Sequence, residues 1–184
     1  MRKLLFMAFA VCVLAAASFA QSANYSGTWK LDLEKSTLSG PMRIESMTLT
    51  VAQTDKDIKV DTATKRAAPP ADAPAGGPPG GGGGRGRGGF GGDGSATYSL
   101  DGKEIKAEID GAMGKMPVIY KGSSETDGSL KLSNSRIFNG PQGEVTITKK
   151  ETWRLSADGK TLTVDRESTT PRGNQTSKLV FNKG

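Results

Sequence analysis

Residues 144–169 read EVTITKKETWRLSADGKTLTVDREST, two long alternating runs joined by a short turn. On the first run Thr146, Thr148, Lys150, Thr152 and Arg154 share one face. Val145, Ile147, Lys149, Glu151, Trp153 and Leu155 share the other. On the second run Thr161, Thr163, Asp165 and Glu167 oppose Leu162, Val164, Arg166 and Ser168. A period of two with one polar face belongs to antiparallel strands that are wet on one side and packed on the other. A helix cannot use this pattern, because it would scatter the apolar residues around its circumference.

The rest of the chain repeats the pattern. Asn24–Leu33 alternates through Trp29, Leu31 and Leu33, and Met42–Val51 and Asp57–Thr64 follow as strands. Met42 and Ile44 are out of phase with Met47, Leu49 and Val51, which predicts a bulge near Glu45–Ser46. Asp101-Gly102 predicts a tight hairpin that sets Tyr98 opposite Ile105 and Ala96 opposite Ala107. Strands are also expected over Met116–Ser123, Ser129–Phe138 and Thr176–Lys183. The fold class is therefore all-β: an antiparallel up-and-down meander of about 8–10 strands. A meander this long with one apolar face is expected to close into a barrel, since closure removes sheet edges.

Two segments stand apart. Arg2 and Lys3 precede the apolar run Leu4–Ala17 and then Ser18-Phe19-Ala20, the pattern of a secretory signal peptide over residues 1–20. The run is too short to span a bilayer, so cleavage after Ala20 and a periplasmic or secreted product without a transmembrane segment are expected. Ala67–Gly94 is dominated by Gly and Pro, with Phe90 its one large apolar residue. Such a run cannot bury enough surface to offset its ordering entropy, and is expected to be a disordered insert within a single domain, 21–184. Its Arg85, Arg87 and Phe90 resemble segments that bind RNA, but two arginines and one aromatic are few, and export removes the chain from cytoplasmic RNA. No nucleic-acid partner is expected.

Composition removes most chemistry. The chain has no histidine, and its single cysteine, Cys12, lies in the leader. Histidine and cysteine catalysis and the usual zinc sites are thereby excluded. The Asp-Gly pairs at 101, 110, 127 and 158 lack the further oxygen ligands of a calcium loop and read as turns. Losing Arg2 and Lys3 lowers the formal charge from +6 to +4, a mild excess that suits a soluble exported protein. No catalytic motif, metal or cofactor is expected, and an enzyme ranks behind a binding protein and a structural module.

Gly27-Thr28-Trp29 resembles the opening strand of lipocalins and intracellular lipid-binding proteins, whose Gly-x-Trp indole plugs one end of a barrel. The phrase SGTWKLDLEKS and the closing SADGKTLTVDRESTTPRGNQTSKLVFNK are similar to small exported lipocalin-like, calycin-type bacterial proteins. The resemblance implies a lipocalin-like barrel. It does not carry a ligand over, because the chain lacks the helix pair of lipid-binding proteins and has the glycine-rich insert.

Register arguments place a candidate site. With Leu155 opposite Lys160 across SADG, Trp153 meets Leu162, Glu151 meets Val164 and Lys149 meets Arg166. A four-residue loop at Asn139–Gln142 sets Arg136 against Val145 and Asn134 against Ile147. One end of the interior is then apolar (Trp153, Leu155, Leu162, Leu130), and beyond it lie Asn134, Arg136, Lys149, Glu151 and Arg166. Three cations against one carboxylate leave a surplus that is costly when buried and that an anion would relieve. The expected ligand is a small acidic amphiphile, with its tail on the apolar end and its anionic group on the arginines. A bulge at Lys149-Lys150 would instead turn half of that strand outward. The competing reading is a non-enzymatic structural or interaction module of the cell envelope with a filled core.

Overall fold

A computed structural model describes residues 23–39, 44–67, 93–111, 114–140, 143–171 and 173–184. The leader, Met42 and all but the ends of the Gly/Pro-rich insert lie outside the described residues. Ten strands follow in order: β1 (Gly27–Leu31), β2 (Ile44–Gln53), β3 (Asp57–Arg66), β4 (Gly94–Ser99), β5 (Asp101–Gly111), β6 (Gly114–Ser124), β7 (Leu130–Gly140), β8 (Gly143–Leu155), β9 (Thr161–Thr170) and β10 (Gly173–Lys183). They form one antiparallel sheet in the order β4-β3-β2-β1-β10-β9-β8-β7-β6-β5, curled into a nearly closed barrel. The described residues include no helix. The first and last strands close the wall, with Trp29 opposite Lys183 and Leu31 opposite Phe181. The bulge expected near Glu45–Ser46 is present as a register shift between Ile44 and Ser46.

The one break falls between β4 and β5, where the sequence predicts a hairpin. Asp101 is already paired with Ser123 on β6, and Gly102, at φ +82°, sits in a bulge that opens β5 rather than in a two-residue turn. β4 instead lies over the inner surface of β6. A Cβ on Gly122 would come within 2.9 Å of the Ser99 carbonyl oxygen and 3.0 Å of Tyr98 Cβ. Because the nearest atom is backbone, Gly122→Ala is expected to push the two strands apart and cost about 1–3 kcal/mol in chemical denaturation. A neutral substitution would show that β4 is not held there.

Two other registers differ from expectation by two residues. Leu155 pairs with Leu162, Trp153 with Val164 and Glu151 with Arg166. The ladder continues through Ser156 N to Thr161 O at 2.9 Å, and Thr161 N donates to Ser156 Oγ at 2.9 Å. The loop shrinks to Ala157–Lys160, closed by Lys160 N donating to Asp158 Oδ1 at 3.1 Å. β7 and β8 likewise pair as far as Gly140 and Gly143, so Arg136 faces Ile147 and Asn134 faces Lys149. A slip of two preserves the faces, so every residue expected inside stays inside. β8 has no register shift at Lys149-Lys150.

The end of the barrel that carries the turns at Thr54–Lys56, Glu125–Ser129 and Ser156–Lys160 is packed solid. Tyr25, Trp29, Ile58, Leu130, Leu162 and Trp153 are each at most 1 % exposed. Trp29 Nε1 donates to the Tyr25 carbonyl at 2.8 Å, and Lys183 Nζ lies 5.3 Å from the indole centroid. Gly27 is required beside them: its φ is +135°, and a Cβ would meet Lys183 Cε at 3.2 Å. The Tyr25 hydroxyl reaches the Gly128 and Trp153 carbonyls at 2.9 and 3.0 Å, tying this plug to the Glu125–Ser129 turn and to β8. Burial, followed by the nearby Asp127 charge, pushes its phenol up to about 12, so it stays a neutral donor.

Candidate functional site

Inward-facing residues stack in layers above the plug. The lowest is apolar: Leu130, Trp153, Val164 and Leu179 lie side by side across β7 to β10. The next contains Leu132, Glu151, Arg166 and Ser177, and the one above it Tyr120, Asn134, Lys149 and Ser168. Val118, Arg136 and Ile147 follow. Alternation alone aims these side chains at the interior, and antiparallel pairing brings them to one level.

A cavity of about 300 Å³ occupies these upper layers. Asn134, Arg136, Lys149, Glu151, Trp153 and Arg166, the six residues singled out in the sequence, all line it. Of the apolar end only Trp153 reaches it. Leu130 and Leu162 are buried in the core, and neither they nor Leu155 line the cavity, so the expected seat for a ligand tail is filled by core. Trp153, Val164 and Phe181 form the floor instead. Leu49, Val60, Tyr98 and Tyr120 complete the wall. The sequence reading misses the tyrosines as lining because it pairs β4 with β5. In the barrel Tyr98 packs edge-on against Tyr120, at 5.3 Å and 78°.

Glu151 organises the charge. Its Oε1 accepts from Arg166 Nε at 2.8 Å and lies 3.2 Å from Lys149 Nζ, while Oε2 accepts from Trp153 Nε1 at 2.9 Å. Burial alone would raise the carboxyl pKa, but the two cations and the indole N–H overrule it and hold the group at about 2. Burial pushes the Lys149 ammonium down from its ordinary value, and Arg166 and Arg136 add to that; Glu151 opposes them. Burial, then the Glu151 charge, pushes the Tyr98 phenol up, so it too stays neutral. Asn134 Nδ2 donates to the Tyr98 hydroxyl at 3.4 Å.

The inner end of the cavity therefore offers three cationic groups and a neutral phenol, with one carboxylate that already receives three donors; Asp93, Glu108 and Asp110 line the mouth. Ionised Glu151 only accepts, and most of its acceptor capacity is occupied. What the inner end has to offer an incoming molecule is donors and positive charge. Among the described residues no cluster of acidic, histidine or cysteine side chains is placed to hold a metal ion. Asp101, Asp127 and Asp158 each accept the backbone N–H two residues on, at 3.0, 2.9 and 3.1 Å, Asp127 and Asp158 in turns and Asp101 in the bulge that opens β5.

Fold and site together define the class: an all-β, ten-stranded, nearly closed antiparallel barrel of calycin-like architecture with an internal cavity. Comparison of the chain with protein-family models, curated proteins and solved structures finds no match.

Proposed function

We propose that the chain is an exported lipocalin-like barrel that binds a small, acidic, partly apolar molecule without transforming it. The carrying observation is the inner end of the cavity of about 300 Å³, where Arg136, Lys149 and Arg166 line the wall with one buried carboxylate, Glu151, while Asp93, Glu108 and Asp110 stand at the mouth. A volume of this size lies at the lower end of small-molecule sites. The cations gathered at the inner end favour an anionic group there, and the aromatic walls favour an apolar body. The leader motif in the sequence supports a periplasmic or secreted product. A second reading, an envelope module with a filled core, draws on the solid packing of the other end of the barrel.

Calorimetric titration with octanoate, octylamine and octanol separates the two. Octanoate is expected to bind saturably at one site, with the amine and the alcohol at least about ten-fold weaker. Arg166→Gln is expected to weaken octanoate by at least about ten-fold, the size of a lost charged hydrogen bond. No saturable binding supports the filled-core module, and equal affinity for the three probes overturns the acidic ligand.

A further inference from the structure

The backbone ladder stops between β4 and β5: β4 pairs with β3 and β5 with β6, and Ser99 Oγ donating to Asp101 Oδ1 at 2.8 Å joins the two strands at the plugged end. Both strands nevertheless line the cavity, through Ser95, Ala96 and Tyr98 on one side and Glu108, Ile109 and Asp110 on the other. The exposed members of the lining, Gly94, Ser95, Glu108 and Asp110, all belong to these two strands. The cavity thus reaches solvent along the seam. The seam is pinned at the plugged end, where Leu100 N donates to Lys56 O at 2.7 Å and Ser99 presses on Gly122.

Away from that pin the inward positions of the lips are aliphatic, with the exposed Glu108 and Asp110 flanking Ile109 at the mouth. Ala96 on β4 and Ile105 and Ile109 on β5 pack against the core but stay half-buried, and Ala107, in phase with them, is exposed. The cations sit at the inner end of this slit, with Trp153 and Phe181 closing the way down.

We propose that the β4–β5 seam is the tail channel of the site: a fatty acid places its carboxylate among Arg136, Lys149 and Arg166, and its acyl chain leaves sideways between the two strands. This rests on the acidic-ligand reading above. The cations at the inner end select an anionic head group, and the aliphatic inward positions of the seam suit an acyl chain. Volume supplies the reason to leave. With each carbon taking about the space of one water, a carboxylate and roughly eight carbons fill the cavity. A longer chain has only the seam left, where it covers Ile105, Ala107 and Ile109.

The test is a chain-length series of hexanoate, octanoate, decanoate, dodecanoate and tetradecanoate. Each is titrated into the mature protein below its micelle concentration, with calorimetry and Trp153 fluorescence as readouts. Each methylene buried adds about four-fold, so affinity is expected to rise by at least about ten-fold from octanoate to tetradecanoate. Ala107→Asp, and separately Ala107→Asn without the added charge, at an exposed lip position outside the cavity lining, are expected to cancel that gain while leaving octanoate within about two-fold. A plateau or fall beyond octanoate, or lip variants that weaken every length equally or none, overturns the channel and leaves the anion site standing. No saturable binding at any length overturns both.

Discussion

Trp153→Ala is expected to lower the unfolding free energy by about 3–5 kcal/mol, the cost of deleting a large aromatic from a core. That is a sizeable share of the roughly 5–15 kcal/mol a domain possesses. Trp153 is 1 % exposed and packs against Tyr25 at 6.1 Å between centroids. Its indole both roofs the plug and floors the cavity, and its N–H is one of three donors to Glu151. Trp153→Phe keeps most of the volume and removes the donor, so it is expected to cost about 1–3 kcal/mol, a buried charged hydrogen bond alone. Urea unfolding of the two variants separates packing from hydrogen bonding. An alanine variant as stable as the wild type would mean that the plug does not hold the barrel closed.

Glu151→Gln acts through charge. The substitution leaves Lys149 and Arg166 buried without their carboxylate, and breaking a buried pair costs about 3–5 kcal/mol. Its pH dependence follows from the carboxyl held at about 2 in the fold, against an ordinary value of 4.5. Because the folded pKa is the lower one, the ionised group contributes its full stability above pH 4.5 and loses it as pH falls towards 2. The gap between wild type and Glu151→Gln is therefore expected to be largest near neutrality and to narrow between those values. Denaturant unfolding at pH 7, 4 and 2.5 checks this. A gap that is constant with pH, or absent, would show that Glu151 is not the counterion of the two cations.

Much of this architecture is legible in the sequence, because β alternation is a local signal. The runs through Val145–Leu155 and Leu162–Ser168 state which side chains face inward, and a register slip of two leaves that statement untouched. This is why all six site residues reach one cavity although two of the three predicted pairings are displaced and the third, β4 with β5, is absent. The displaced pairings turn on loop closure. Ser156 and Thr161 extend the ladder by one rung through a side-chain hydrogen bond that alternation does not encode. The β4–β5 break is less legible still. Asp101-Gly102 is a sound local turn signal, but the tertiary fit of β4 over Gly122 outweighs it. Missing that break hid Tyr98 and Tyr120 from the site and left the apolar end as the apparent seat for a ligand tail. Volume decides that question: the side chains of that end, summed with Tyr25 and Trp29, fill it, and composition alone does not reveal how they pack.

Native mass spectrometry of the protein recovered from its own envelope tests the ligand reading most directly. The account predicts a mature chain that begins at or near Gln21 and carries one non-covalent adduct of defined mass. On collisional release the adduct should appear as an anion, and Arg166→Gln should deplete it. A bare mature mass, together with an unbound spectrum after incubation with excess dodecanoate, would contradict it.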